Sequence, residues 1–309
     1  MHATTRRPAA VRRGRLRLAL LVLAVAAATA VGVAPAVQSA LRDASPADPA
    51  AGPTVVYAQP ASTGEPVAPL PDVPARAFAV YDATTRDFLA SRGLDAEVPV
   101  ASITKLMTAA VALAHGDLDE PIAVPPVETA RGESVAGLRA GETLTRRQLL
   151  ALLLIPSAGD AAEALAVTSG TSRAGFVERM NARARDLGLR HTHYVNPAGL
   201  DAAGQHSTAR DTVLLAVRLM RSPTVRAIVR RTGARLHGRE LPATNRLLDA
   251  GLGIDGVKTG HTDEAGWCIV VSAMHRGHRL MITVLGAPDE ARRDEAVRGL
   301  LSWAQVADA

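Results

Sequence analysis

The sequence predicts a mixed α/β (α+β) domain in which one sheet is assembled from both ends of the chain, with a helical insertion beside it. Three observations carry this. Strand-like runs stand near the start, in "RAFAVYDATTRDFLA", and again near the end, in "GIDGVKTG", "GWCIVVSAM" and "RLMITVLG". Between them, from Ser102 to about Arg231, the apolar spacing is helical. Of 309 residues 48% are hydrophobic but only 3% aromatic, so the core must be aliphatic and Ala-rich.

Taken in order, the first 36 residues read as a secretory signal. Arg6, Arg7, Arg12, Arg13, Arg15 and Arg17 precede an apolar run from Leu18 to Val33, and Ala34–Pro35–Ala36 is a small-x-small exit. An uncleaved membrane anchor is the alternative, since the run is long for a signal. Cleavage would remove six arginines and no acid, taking the net charge from +5 to −1. That leaves no basic face for phosphates, so nucleic acid is not an expected partner. Either way the remainder lies on the outer side of a membrane. Residues 37–74 are rich in Pro, Ala and small polar residues and read as an extended tether. The folded domain is expected over 75–309.

Within it, the "DATTRD" turn joins two short strands. The helical stretch is broken by loops at "AHGDLDEP", "ARGESVAGLRAGE" and "HTHYVNPAGLDAAGQ". The last two strands are joined by "HRGH", and "DEARRDEAVRGLLSWA" closes the chain as a helix. Cys268 is the single cysteine, so no internal disulfide forms. It lies in an apolar strand and reads as a small buried hydrophobe rather than a nucleophile. "GLGIDG" matches a dinucleotide fingerprint formally, yet it precedes a strand rather than opening a helix, so that match fails its context.

Lysine is the informative residue. Only Lys105 and Lys258 occur among 35 basic side chains. Arg stays protonated at any accessible pH, whereas a desolvated Lys can act as a base. In "SITK", Ile103, Leu106, Met107, Ala110 and Ala114 form an apolar helical stripe, and Ser102 and Lys105 are neighbours on another face. A buried amine can take the proton of an adjacent hydroxyl and make it a nucleophile. The bland competitor is an N-cap serine followed by a solvated lysine. In "GVKTGH", a cation, a hydroxyl and strand N–H groups suit an anionic substrate end, with Gly260 permitting close approach. In "LLIPSAGDAAEALA", Ser157 and Asp160 fit a capping box, but Ser157 also stands on an inter-helix loop, placed to enter a cleft.

These segments resemble the D-alanyl-D-alanine carboxypeptidase family, the low-molecular-mass penicillin-binding proteins marked by ordered S-x-x-K, S-x-N and K-T-G motifs. "SITK" matches the first, "KTG" the third, and "SAG" stands at the second. "GLRAGETLTRRQLLALLL", "NPAGLD", "STARD", "TNRLL" and "DGVKTGHTDEAGW" match as well, so the resemblance runs from about Ala77 to Trp303. It implies a DD-peptidase/β-lactamase-like fold, an antiparallel sheet flanked by helices with an all-helical subdomain. It also implies roles. Ser102 would be the acylated nucleophile, Lys105 its base, and Ser157 a proton relay aided by Lys258 as a fixed cation. Thr259 would bind the substrate carboxylate beside Gly260, and the N–H groups of Ser102 and His261 would form an oxyanion hole. The substrate would be a peptidoglycan stem peptide ending in D-Ala-D-Ala, with β-lactams as covalent inhibitors and no metal or cofactor.

One position departs from the pattern. Gly159 replaces the motif asparagine, and Asp160, one helical step on, is turned about 100° away. A slowed enzyme, or a non-catalytic wall-binding relative, is the expected consequence. Two rivals lack their residues. A class A β-lactamase needs a deacylating glutamate in the "HTHYVNPAGL" segment. A zinc peptidase needs more than the loop histidines His191, His193 and His206, and no H-E-x-x-H helix appears.

Overall fold

The computed structural model describes residues Val56–Tyr57, 69–130, 132–170 and 172–307. The signal over 1–36 and most of the tether over 37–74 lie outside the described residues. Five long or medium strands and one short one make an antiparallel sheet. They are β1 (Val56–Tyr57), β2 (Ala77–Asp82), β3 (Asp87–Arg92), β8 (Ile254–Thr262), β9 (Gly266–His275) and β10 (His278–Ala287), in the order β1-β3-β2-β10-β9-β8. The two ends of the chain meet at the β2–β10 pairing, where Val284 faces Phe78 and Leu280 faces Asp82. β1 pairs with β3 although it falls within the stretch read as a tether.

Alternation sorts the strand residues between two buried faces. Ala77, Ala79, Tyr81, Cys268, Val270, Met281 and Leu285 pack against the helical body. Phe78, Val80, Ile269, Val271, Ile282 and Val284 pack against Val297, Leu300 and Leu301 of the closing helix, α7 (Glu290–Ala307). Both faces being covered explains why β2 is buried along its whole length.

The helical body holds α1 (Lys105–Leu113), α2 (Arg146–Leu154), α3 (Gly159–Val167), α4 (Arg173–Asp186), α5 (Ala209–Met220) and α6 (Pro223–Val229). α1 is its axle. Lys105 through Ala109, Val111 and Ala112 are all buried, because α2, α3, α4 and α5 surround it. The stripe read there is buried at Ile103, Leu106 and Met107 and half-buried at Ala110, but Ala114 lies exposed at the helix end. Local chemistry sets the starts of the other helices: Thr145 and Gln148 form a capping box on α2, Thr208 caps α5, and Ser222 with Pro223 opens α6. Two small antiparallel pairs were not foreseen, β4 (Pro121–Ala123) with β5 (Thr143–Thr145), and the hairpin of β6 (Gly233–Leu236) with β7 (Arg239–Pro242).

Candidate active site

The seam between sheet and helical body holds a cleft of about 870 Å³, lined by Ser102, Lys105, Glu133, Ser157, Thr259 and Arg293 among others. Ser102 sits on a 3-10 turn, Ala101–Thr104, that leads directly into α1. Ala101 holds a positive φ of 49°, a conformation costly to a residue with a Cβ and common where a turn must aim a side chain. Lys105 is 1% exposed, and its Nζ donates to Ser102 Oγ at 2.9 Å and to the Ala198 carbonyl at 2.6 Å. Burial pushes its amine down to about 8, while the carboxylates of Glu133, Glu163 and Asp160 resist that fall.

The "NPAGLD" segment is what presents Ala198. Asn196 Oδ1 accepts the N–H groups of Ala198, Gly199 and Leu200, its Nδ2 donates to the Leu200 carbonyl, and Thr108 of α1 donates to the Pro197 carbonyl. Gly199 has to be glycine: a Cβ there would stand 2.1 Å from the Ala101 carbonyl oxygen.

The second lysine meets the second serine. Lys258, on β8 and 1% exposed, donates to Ser157 Oγ at 2.8 Å and to the Thr259 carbonyl at 2.7 Å. Ser157 does not cap α3, whose N-cap is Ala158 with no side-chain bond. Ser157 instead adopts φ 64° and turns its hydroxyl into the cleft, so the capping reading is corrected. Burial, then the neighbouring Lys105 and Arg293, push the Lys258 amine well below its ordinary range. Thr259 Oγ1 donates to Thr244 Oγ1 at 2.6 Å, which uses the "TNRLL" segment. Gly260 lets β8 run against the Ser102 turn, since a Cβ there would lie 2.8 Å from the Ser102 nitrogen. His261 is exposed and its ring stands 4.2 Å from that of Trp267.

Gly159 and Asp160 have structural tasks. Asp160 accepts N–H groups of Ala136, Gly137 and Leu138, clamping the preceding loop to the start of α3. The space above Gly159 is filled: a Cβ there would fall 1.8 Å from Glu133 Oε1 and 2.1 Å from its Cδ. Glu133 and Arg293 are charged cleft residues that sequence reasoning missed. Arg293 is 1% exposed, held by Asp294 and Glu290, and its guanidinium lies 5.5 Å over the Trp267 ring. In the sequence both sit in charge-rich stretches that look like solvated surface. Cys268 is fully buried and its thiol is pushed up to about 11 by burial, so it is inert packing. His191 and His206 both face Glu97, in exposed or half-buried positions.

An antiparallel sheet backed by one helix and faced by a helical body, with a serine–lysine pair at the seam, defines the class of DD-peptidases and penicillin-binding proteins. The family model described as D-alanyl-D-alanine carboxypeptidase matches residues 63–289, and the chain belongs to that family. It is 33% identical over 247 residues to D-alanyl-D-alanine carboxypeptidase DacA of Escherichia coli, covering 76% of this chain and 61% of that one. It is 34% identical to D-alanyl-D-alanine carboxypeptidase DacB2 of Mycobacterium tuberculosis, over 70% of this chain and 76% of that one. The chain thus spans about three fifths of the Escherichia coli relative's length. Among solved structures it is similar to penicillin-binding protein D2 from Listeria monocytogenes in its cefotaxime-bound form. There the TM-score is 0.70 and the identity 31%, covering 78% of this chain and all of that one.

Proposed function

We propose that the chain is a serine-type D-Ala-D-Ala carboxypeptidase that releases the terminal D-alanine of peptidoglycan stem peptides through an acyl-enzyme on Ser102. The observation that carries this is the buried Lys105 amine 2.9 Å from the Ser102 hydroxyl, with burial pushing that amine down to about 8.

The steps follow from that pair. Lys105 takes the Ser102 proton as Oγ bonds to the carbonyl carbon of the penultimate D-alanine. The developing oxyanion lies at backbone N–H groups of Ser102 and His261, each donor worth about 3 kcal/mol in comparable sites. On collapse the C–N bond breaks, and the proton held by Lys105 passes through Ser157 to the leaving nitrogen. Water then adds to the ester, giving Lys105 a proton that returns to Ser102 as the acyl–oxygen bond breaks. The departing carboxylate is held by Thr259, Lys258 and Arg293 around Gly260. Two buried basic side chains and a hydroxyl suit an anion, and an anion's arrival would favour the protonated Lys258 that burial disfavours.

β-Lactams would trap the same serine, in line with the cefotaxime named for the Listeria relative. The place of action is the outer, cell-wall side of a bacterial membrane, with any membrane contact made through the N-terminal segment. No helix among the described residues is long and apolar enough to span a membrane. The test is the intact mass after treatment with a fluorescent penicillin: one adduct is expected, on the tryptic peptide carrying Ser102, and none in Ser102→Ala. An unlabelled protein that still binds peptidoglycan would make it the blunted wall-binding relative instead.

A further inference from the structure

Gly159 is the position at which the chain departs from its family's motif, and the space it leaves is neither empty nor open to water. The Glu133 side chain crosses it, its Cγ, Cδ and Oε1 all within 2.7 Å of where a Cβ on residue 159 would stand. The loop that delivers Glu133 is fixed on both sides of it. Glu133 Oε2 accepts the Ala130 N–H at 3.1 Å. The Gly159 N–H donates to the Ser134 carbonyl at 2.7 Å, and Asp160 binds the N–H groups of Ala136, Gly137 and Leu138. Glu133 Oε1 is buried and has no hydrogen-bond partner among the described residues, although the cleft it lines also holds Ser102, Lys105 and Ser157.

We propose that Glu133 takes the place of the missing second-motif amide and serves as the charge partner of Lys105, a positioning residue for the serine–lysine pair. The inference rests on the acyl-enzyme reading of Ser102 given above.

The charged groups around Lys105 single Glu133 out. From α3, Glu163 is committed to Arg173 by two bonds of 2.8 and 3.0 Å, and Asp160 to the loop N–H groups. From β8 and α7, the side chains of Lys258 and Arg293 bring no negative charge and cannot stabilise an ammonium. Glu133 alone of these carboxylates keeps an oxygen unbonded. It is also the largest of the charge effects that hold the Lys105 amine up against burial, and its own carboxyl is pushed upward, by burial first.

A carboxylate does two things here that an amide cannot. It favours the ammonium that Lys105 becomes as Ser102 attacks, which speeds the step once Lys105 starts as a free amine. It also raises the pH needed to make that free amine. Removing the charge should therefore move the rising limb of the pH–rate profile toward acid and lower its plateau together. A merely loosened loop would lower the plateau and leave the limb in place.

The experiment measures the second-order rate of labelling by a fluorescent penicillin from pH 5.5 to 10. It compares wild type, Glu133→Gln, Gly159→Asn and the double variant. Glu133→Gln keeps the shape and removes the charge; its limb should shift about one pH unit toward acid, with a plateau several-fold lower. Gly159→Asn must expel the Glu133 side chain, so its limb should shift equally, and the double variant should shift no further than either single one. Limbs that stay at the wild-type position, or shifts that add, overturn the proposal while leaving the acyl-enzyme in place. Absence of any label on wild type at every pH overturns the acyl-enzyme reading, and this one with it.

Discussion

Two amines buried in one cleft cannot both hold their protons cheaply, and the environments of Lys105 and Lys258 divide the burden. Lys105 is lowered to about 8 by burial, with three carboxylates opposing. Lys258 has no carboxylate among its causes, only burial and two cations, and all of them push it down. A base works when it is unprotonated, so acylation should rise as pH climbs through about 8 and flatten above it. Lys105→Arg would remove the proposed base outright, because a guanidinium keeps its proton. Labelling should fall by about 10²–10⁴-fold, the usual worth of a general base. Lys258→Arg should behave differently. It keeps two donors for Ser157 Oγ and the Thr259 carbonyl, at the cost of crowding a side chain that is fully buried. A lowered thermal midpoint with measurable residual labelling is expected. Equal loss of labelling in the two variants would contradict the division of roles.

At the scale of elements, the site is made by turns clamped onto α1 and α3 more than by the helices themselves. The turn at residues 196–200 hangs on one side chain, Asn196, which is buried and accepts three backbone N–H groups. Asn196→Ala would leave those donors unpaired, each costing about 1–3 kcal/mol if it stays dry. The Ala198 carbonyl would then drift from Lys105, so the thermal midpoint and the labelling rate should fall together. Asn196→Asp keeps the acceptor oxygen and should lose much less of either. A labelling rate unchanged in Asn196→Ala would show that Lys105 does not depend on that carbonyl.

What could be read from the sequence follows from this arrangement. "SITK", "KTG" and "NPAGLD" are contiguous, because each is a turn or strand whose partners lie across the cleft. Glu133 was illegible because its meaning depends on the absence of a side chain at Gly159, 26 positions on, and only the fold brings the two together. Arg293 was illegible for a similar reason, since a buried arginine and a solvated one look alike in "DEARRDEAV". The central strands, by contrast, are apolar on both faces and declare themselves over ten residues. The two short strand pairs, of three and four residues per strand, carry too little pattern to do so.

On the whole-molecule scale, the sheet is closed by pairing β2 with β10, strands separated by nearly the full domain. That pairing must be won before either face of the core is complete, so the fold rests on a long-range contact. The site hangs from the same frame, since every cleft-lining residue among those described falls between Ser102 and Arg293. We therefore expect a variant lacking residues 1–52 to be labelled by penicillin at the full-length rate, within about twofold, with an unchanged thermal midpoint. Removing residues 1–68 also takes away β1, whose two residues pair with Ser91 and Ala90 at the edge of the sheet. Losing one or two strand bonds at an edge costs about 1–2 kcal/mol, enough to lower the midpoint by a few degrees in a domain of this size. It should leave labelling intact, because β1 lies at the far edge from β8, which carries Lys258 and Thr259. A midpoint that already falls on removal of 1–52 would place part of the stable domain before β1. A labelling rate that falls with either truncation would tie the cleft to the N-terminal segment, contrary to a catalytic domain that is complete without it.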